Sequence, residues 1–231
     1  MLSEEEFKKN LSQVRKHIDN LCVEYNRQPE DVVLLPVTKK WPASVVNYCQ
    51  KSGIYRVGEN RVQDALAKQE EIAGSQWELI GHLQSNKVKQ VVGKFERIQT
   101  VDSVKLLEKI QVVAEQRQLV CKVLLQVNSG EDPAKFGFSI DETSTALEKA
   151  LASPNLSVEG LMTIAPHAPN DLSVARHAFG RLRDLRDRLK DEFSIDLKEL
   201  SMGMSGDLRE AIESGSTMVR VGSALFGERL S

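Results

Sequence analysis

Val32-Val33-Leu34-Leu35-Pro36-Val37-Thr38 is a short β-branched run without polar alternation, followed at once by Lys39-Lys40 and then by Pro42. Apolar side chains on both faces imply a strand covered on both faces, and such strands belong to parallel sheets wrapped in helices. A helix is expected next, over residues 42–52, because proline suits a first helical turn and Gly53 offers a left-handed stop. Upstream, Ser3 precedes acidic residues, and Phe7, Leu11, Val14, Ile18 and Leu21 recur at three- and four-residue steps. That spacing predicts an amphipathic opening helix.

The alternation continues along the chain. Further strands are expected at 54–57, 77–80, 97–101, 122–127, 158–162, 197–200 and 218–221, with helices at 104–118, 143–152, 174–191 and 207–214. Strands alternating with helices make a parallel sheet with right-handed crossovers. Eight such units in 231 residues predict an α/β fold, a single (β/α)8 TIM barrel spanning 1–231 with an extra N-terminal helix. An open doubly wound sheet is the competing architecture. No GxGxxG follows the first strand, so its dinucleotide-binding version lacks the expected fingerprint.

Thirty-one Lys and Arg against 33 Asp and Glu leave a net charge of −2 with no dense basic stripe, so nucleic acid is not an expected partner. No run approaches the ~18 apolar residues that cross a bilayer. The opening MLSEEEFKKN lacks the basic-then-apolar order of a signal peptide, so a cytoplasmic protein without a membrane partner is expected. Cys22, Cys49 and Cys121 have no CxxC or metal-ligand spacing and should be reduced and buried. His17, His82, His167 and His177 are equally dispersed, which argues against a metal site.

Barrels of this kind place chemistry at the carboxyl ends of their strands, often with a phosphate held after strands seven and eight. The seventh strand runs into Ser201-Met202-Gly203-Met204-Ser205-Gly206-Asp207, where Ser205 is expected to cap a helix starting near Asp207. The eighth runs into Gly222-Ser223-Ala224-Leu225-Phe226-Gly227, a second glycine and hydroxyl opening a short extra helix. Ordinary turns and caps explain either segment alone; the two together point to a phosphate cradle. If the first strand closes against the eighth, its terminal lysine neighbours that cradle.

A phosphate site beside a lysine amine suggests a Schiff base with pyridoxal phosphate. The amine must be neutral to attack an aldehyde, so a pKa of ~10.4 has to fall through burial or a nearby cation. Spacing does not choose between Lys39 and Lys40, and either also reads as a plain surface lysine. Arg220 faces opposite to Val219 and Val221. If it points into the lumen it needs an acceptor. A pyridine nitrogen is one candidate; a carboxylate such as Glu59, or a position against the helix layer, is the alternative. Asn60 follows the second strand close to the first, within reach of a cofactor face. Glu59, Gln84, Asn86 and Lys87 read equally well as helix caps, His82 has no visible partner, and Asn128, Ser129 and Lys135 form a mouth-lining loop.

Taken together, LLPVTKKWP, VGENRVQ, IGHLQSNK, VNSGEDPAKFGF, VEGLMTI, LSMGMSGD and GSTMVRVGSALFG, in this order from Leu34 to Gly227, resemble the pyridoxal phosphate homeostasis protein family. The resemblance implies a barrel like the N-terminal domain of alanine racemase and a cofactor, pyridoxal 5′-phosphate, held covalently by the lysine of a V-[ST]-K motif, here Lys39. It also implies phosphate contacts from Ser205, Gly222 and Ser223, an arginine at the pyridine nitrogen matching Arg220, and an asparagine near the ring matching Asn60. Two positions depart from the family pattern: Glu78, where many relatives are expected to carry histidine, and Trp41 after the lysine pair.

An arginine opposite the pyridine nitrogen disfavours its protonation and weakens the ring as an electron sink. Alanine racemase also draws a tyrosine acid/base from a second domain, whereas Tyr25, Tyr48 and Tyr55 suggest no such role here. The expected function is therefore not enzymatic: a carrier that stores or delivers pyridoxal phosphate and, as the family resemblance implies, keeps vitamin B6 and amino-acid levels in balance, with cofactor-dependent apoenzymes as recipients; a monomer is expected, since nothing in the sequence calls for an oligomer. A minimal racemase or transaminase-like enzyme and a cofactor-free phosphosugar-binding barrel are the competing readings.

Overall fold

The computed structural model describes residues 2–227; residue 1 and residues 228–231 of the expected domain lie outside the described residues. Eight parallel strands, β1 (Val33–Pro36), β2 (Arg56–Glu59), β3 (Gln76–Leu79), β4 (Arg97–Val101), β5 (Cys121–Gln126), β6 (Leu156–Met162), β7 (Glu199–Ser201) and β8 (Met218–Val221), form one sheet in the order β1-β8-β7-β6-β5-β4-β3-β2. β1 pairs with β8 from Val33↔Met218 to Pro36↔Val221. Between β1 and β2 the ladder shrinks to one bridge, Val37↔Gly58, reinforced by Thr38 N–H donating to Gly58 O at 3.0 Å. The sheet is thus curled into a nearly closed barrel, as expected, and the open alternative is set aside.

Around it run α1 (Glu4–Glu24), α2 (Ser44–Lys51), α3 (Val62–Glu71), α4 (Val88–Val91), α5 (Val104–Gln116), α6 (Ile140–Leu151), α7 (Ser173–Phe193), α8 (Leu208–Glu213) and α9 (Ser223–Phe226). The opening helix is fixed by a reciprocal cap: Glu6 N–H donates to Ser3 Oγ and Ser3 N–H to the Glu6 carboxylate. Its apolar stripe buries Phe7, Leu11, Val14, Ile18 and Leu21. Phe7 stacks on Phe226 of α9 with ring centroids 5.5 Å apart, and Asn10 donates to Leu225 O, so the extra helix braces the turn after β8.

Boundaries move by a residue or a few where ladder or cap geometry decides. β7 occupies Glu199–Ser201 rather than 197–200 because its partners on β6 are Gly160 to Met162. α6 starts at Ile140 rather than 143 because Ser139 and Glu142 form a second reciprocal cap. Ser205 does not cap α8. Asp207 occupies that N-cap position and takes the Met204 N–H instead, freeing the serine hydroxyl to face the loop after β8.

The two faces of the sheet differ in chemistry. The outward face packs Val57, Trp77, Leu79, Ile98, Val123, Leu125, Leu161, Leu200 and Val219 into the main apolar cluster. The lumen instead carries a polar cluster: Glu78, Arg97, Gln99, Ser201 and Arg220 are all buried there and joined by hydrogen bonds. Among the described residues no helix is long and apolar enough to cross a membrane.

Candidate cofactor site

A cavity of about 640 Å³ opens at the carboxyl ends of the strands. Lys39, Asn60, Ser205, Arg220, Gly222 and Ser223, the six residues singled out from the sequence, all line it. Each comes from a different local device.

Lys39 follows β1 in a turn whose Trp41 N–H donates to Thr38 O at 3.1 Å, and Lys40 takes the left-handed conformation there, φ 61°. A non-glycine residue in that region stores strain that surrounding contacts must hold. Those contacts come from a buried group the sequence reading missed. Lys68 on α3 donates to Thr38 O at 2.7 Å and pairs with the Glu59 carboxylate, which also accepts from Thr38 Oγ1 at 2.9 Å and from Asn60 N–H at 3.2 Å. One ion pair therefore fixes the residues next to both Lys39 and Asn60. Lys40 does not line the cavity.

Asn60 is placed by a close approach: a Cβ on Gly81 would lie 2.1 Å from Asn60 O, so only glycine lets the end of β3 press against it. Its side-chain Oδ1 is buried and has no hydrogen-bond partner. Arg220 points inward from β8 and is 3% exposed. Its Nη1 donates to Ser201 Oγ and its Nη2 to Thr163 O, both at 2.8 Å. Burial pulls its pKa down to about 10, against the opposing fields of Asp207 and Glu78. Among the described residues no carboxylate is hydrogen-bonded to it, and Glu59 is engaged by Lys68; the Arg220–Glu59 alternative is not the one realised.

The loops after β7 and β8 meet through Ala224 N–H and Ser205 Oγ, 3.4 Å apart. Ser223 and Ala224 begin α9, where the backbone N–H groups have no acceptor within the helix. A Cβ on Gly222 would stand 3.4 Å from Val37 O, which shows how near this turn lies to the end of β1.

Lys135, His167 and Asp207 also line the wall, His167 from the loop after β6. Only the choice of Lys135 for the mouth loop was legible beforehand. Gln84, Asn86 and Lys87 stay outside the cavity, Lys87 donating to Gln63 Oε1 at 3.0 Å. His82 does have a partner: its Nδ1 lies 2.7 Å from Asp102 Oδ2 at the end of the adjacent strand, and its ring stacks on Phe136. Glu78 sits deep in the lumen, bonded twice by Arg97 at 3.0 Å, and is not part of the cavity wall.

Residues 3–230 match the family model described as alanine racemase, N-terminal domain. The chain is 40% identical over 221 residues to the pyridoxal phosphate homeostasis protein of Aquifex aeolicus, covering 95% of this chain and 96% of that one. Among solved structures, PipY of Synechococcus elongatus with PLP bound superposes with a TM-score of 0.80 at 33% identity, covering 91% of this chain and 99% of that one. An alanine racemase of Clostridium difficile shares the fold at 16% identity and a TM-score of 0.81, with this chain covering 58% of its length. With 95% of its length aligned to a curated relative at 40% identity, the chain belongs to the pyridoxal phosphate homeostasis protein family, within the alanine racemase N-terminal domain fold.

Proposed function

We propose that this protein binds pyridoxal phosphate, with Lys39 as the covalent anchor, and carries it without consuming it. The observation that supports this most is the convergence of Lys39, Asn60, Arg220 and the two crossover loops on one cavity. The residues fit the group. The buried, unpartnered amide oxygen of Asn60 marks a polar position awaiting a ligand, whichever way that amide is turned. Arg220 has five N–H donors, of which two are used by Ser201 and Thr163. The Ser205 and Ser223 hydroxyls, with the Ser223 backbone N–H at the start of α9, offer donors for a phosphate.

When bound, pyridoxal phosphate supplies an aldehyde that primary amines attack. Lys39 would hold it; Arg220 would donate to the ring nitrogen and so keep it unprotonated; Asn60 would face the ring; Ser205, Gly222 and Ser223 would hold the phosphate. An unprotonated ring nitrogen makes a poor electron sink, and no tyrosine is found among the described residues of the cavity wall. Both features favour a carrier over a racemase or transaminase. Apoenzymes that use the same cofactor are the proposed recipients.

Borohydride reduction of the loaded protein followed by peptide mapping tests the anchor: the reduced adduct is expected on Lys39, and an adduct elsewhere overturns the assignment. The carrier role is tested by incubation with amino acids. Sustained racemisation or keto-acid release would replace it with an enzymatic one.

A further inference from the structure

Arg220 is the least exposed of the cavity residues, and its position is set by the lumen residues behind it. Ser201 Oγ accepts from Arg220 Nη1 at 2.8 Å and donates to Gln99 Oε1 at 2.6 Å. Gln99 Nε2 in turn donates to the Glu78 carboxylate, which Arg97 grips through Nε and Nη2 at 3.0 Å each. Glu78, Gln99 and Ser201 are fully buried and none of them lines the cavity. Whatever they contribute to a ligand passes through Arg220.

Every proton in this chain has one possible direction. Arg97 donates to both oxygens of Glu78, so the carboxylate is the acceptor at the foot of this chain. Gln99 must then turn its amide N–H toward Glu78 and its oxygen toward Ser201. A serine hydroxyl has a single hydrogen, and Gln99 takes it, which leaves Ser201 only lone pairs for Arg220. Thr163 O fixes the other terminal nitrogen of the guanidinium. Two acceptors on two different nitrogens define the plane of a guanidinium that itself lines the cavity.

We propose that Gln99 and Ser201 are positioning residues for the cofactor ring, holding the Arg220 guanidinium in the orientation in which it donates to the ring nitrogen. This rests on the reading that pyridoxal phosphate occupies the cavity with its nitrogen toward Arg220. It goes further in assigning a role to lumen residues that touch no ligand. Removing either link frees the Ser201 hydroxyl or the guanidinium to rotate, and the ring nitrogen loses a fixed donor.

The full-length protein loaded with cofactor labelled with nitrogen-15 in the ring tests this. The measurements are the ring nitrogen chemical shift, the dissociation constant of pyridoxal phosphate, and the melting temperature of the cofactor-free form. Ser201→Ala and Gln99→Met are expected to move the nitrogen signal away from its wild-type position and to weaken binding about tenfold, on the order of one hydrogen bond to a charged group. A purely structural role would lower the melting temperature and leave the nitrogen signal where it was. Folded variants with wild-type signal and affinity overturn the proposal. If one variant does not fold, the other decides. A wild-type protein that takes up no pyridoxal phosphate would instead refute the underlying reading of the cavity.

Discussion

Lys68 on α3 donates to the carbonyl oxygen of Thr38 across 2.7 Å, so a buried ammonium on one barrel unit holds the turn that carries Lys39 on the preceding unit. Its counter-charge, Glu59, is fully buried and also receives Thr38 Oγ1 and Asn60 N–H. The pair is thus a joint between the ends of β1 and β2, where the sheet itself offers only one bridge.

Lys68→Met is expected to destabilise the fold by about 3–5 kcal/mol, because it strands the Glu59 carboxylate in the interior without a counter-charge. Adding Glu59→Leu should recover much of that loss, since the uncompensated charge is then gone. Chemical denaturation of the single and double variants measures both values. A single variant as stable as the wild type would mean that Glu59 finds another partner.

Gly203 adopts φ 95°, and a Cβ there would stand 2.4 Å from Ala211 Cβ. Its carbonyl accepts the Arg220 N–H at 3.0 Å, so strain at this turn is transmitted to β8. Gly203→Ala is expected to cost about 2–3 kcal/mol, the sum of a left-handed backbone and an overpacked contact. Gly180, inside α7 with nothing within 4 Å of its built Cβ, provides the opposite case: Gly180→Ala should stabilise by about 0.5–1 kcal/mol. Equal effects in the two variants would contradict the steric argument.

The barrel was legible because period and punctuation repeat eight times, and slips of a few residues at individual strands do not change that count. The rim of the site was legible for a related reason: glycine and hydroxyl residues after the last two strands have few purely architectural reasons to occur together. The lumen was not legible. Alternation shows that Arg220 and Val221 face opposite ways, but not that Arg220 meets Ser201 on the neighbouring strand and, through it, Gln99 on β4. Lys68 was hidden differently, as one lysine in the charged helix Val62–Glu71, whose inward position follows only once α3 is docked. The Asp102 partner of His82 did leave a signal: Asp102 directly follows β4 and His82 lies three residues past the end of β3, so both sit at the carboxyl ends of neighbouring parallel strands.

Cys22, Cys49 and Cys121 are free and buried, as expected from their scatter. Burial pushes the Cys49 and Cys121 thiols up to about 12. At pH 7.5 that leaves roughly one thiol in 10⁴ to 10⁵ as the reactive thiolate. A thiol reagent is therefore expected to label them no faster than the protein unfolds, and to label them promptly in denaturant. Stoichiometric labelling within minutes in native buffer would show that the interior opens far more readily than its packing implies.

Asp207 sits on the cavity wall, its Oδ1 accepting the Met204 N–H, and burial raises its pKa even though that hydrogen bond and the field of Arg220 act the other way. A carboxyl with a higher pKa folded than unfolded binds more protons in the folded state between the two values. Its favourable contribution is complete below the unfolded pKa and is lost as pH rises through the folded one. At neutral pH the charged carboxylate is therefore a net burden on the cofactor-free fold. Asp207→Asn keeps an oxygen to accept from Met204 and removes the charge. The variant is expected to melt a few degrees above the wild type at pH 7, and the advantage should vanish as the pH drops below the ordinary aspartate range near ~3.9, where the wild-type carboxyl is protonated in both states. A variant that melts lower than the wild type at pH 7 would show that the ionised carboxylate supports the turn after β7 rather than straining it.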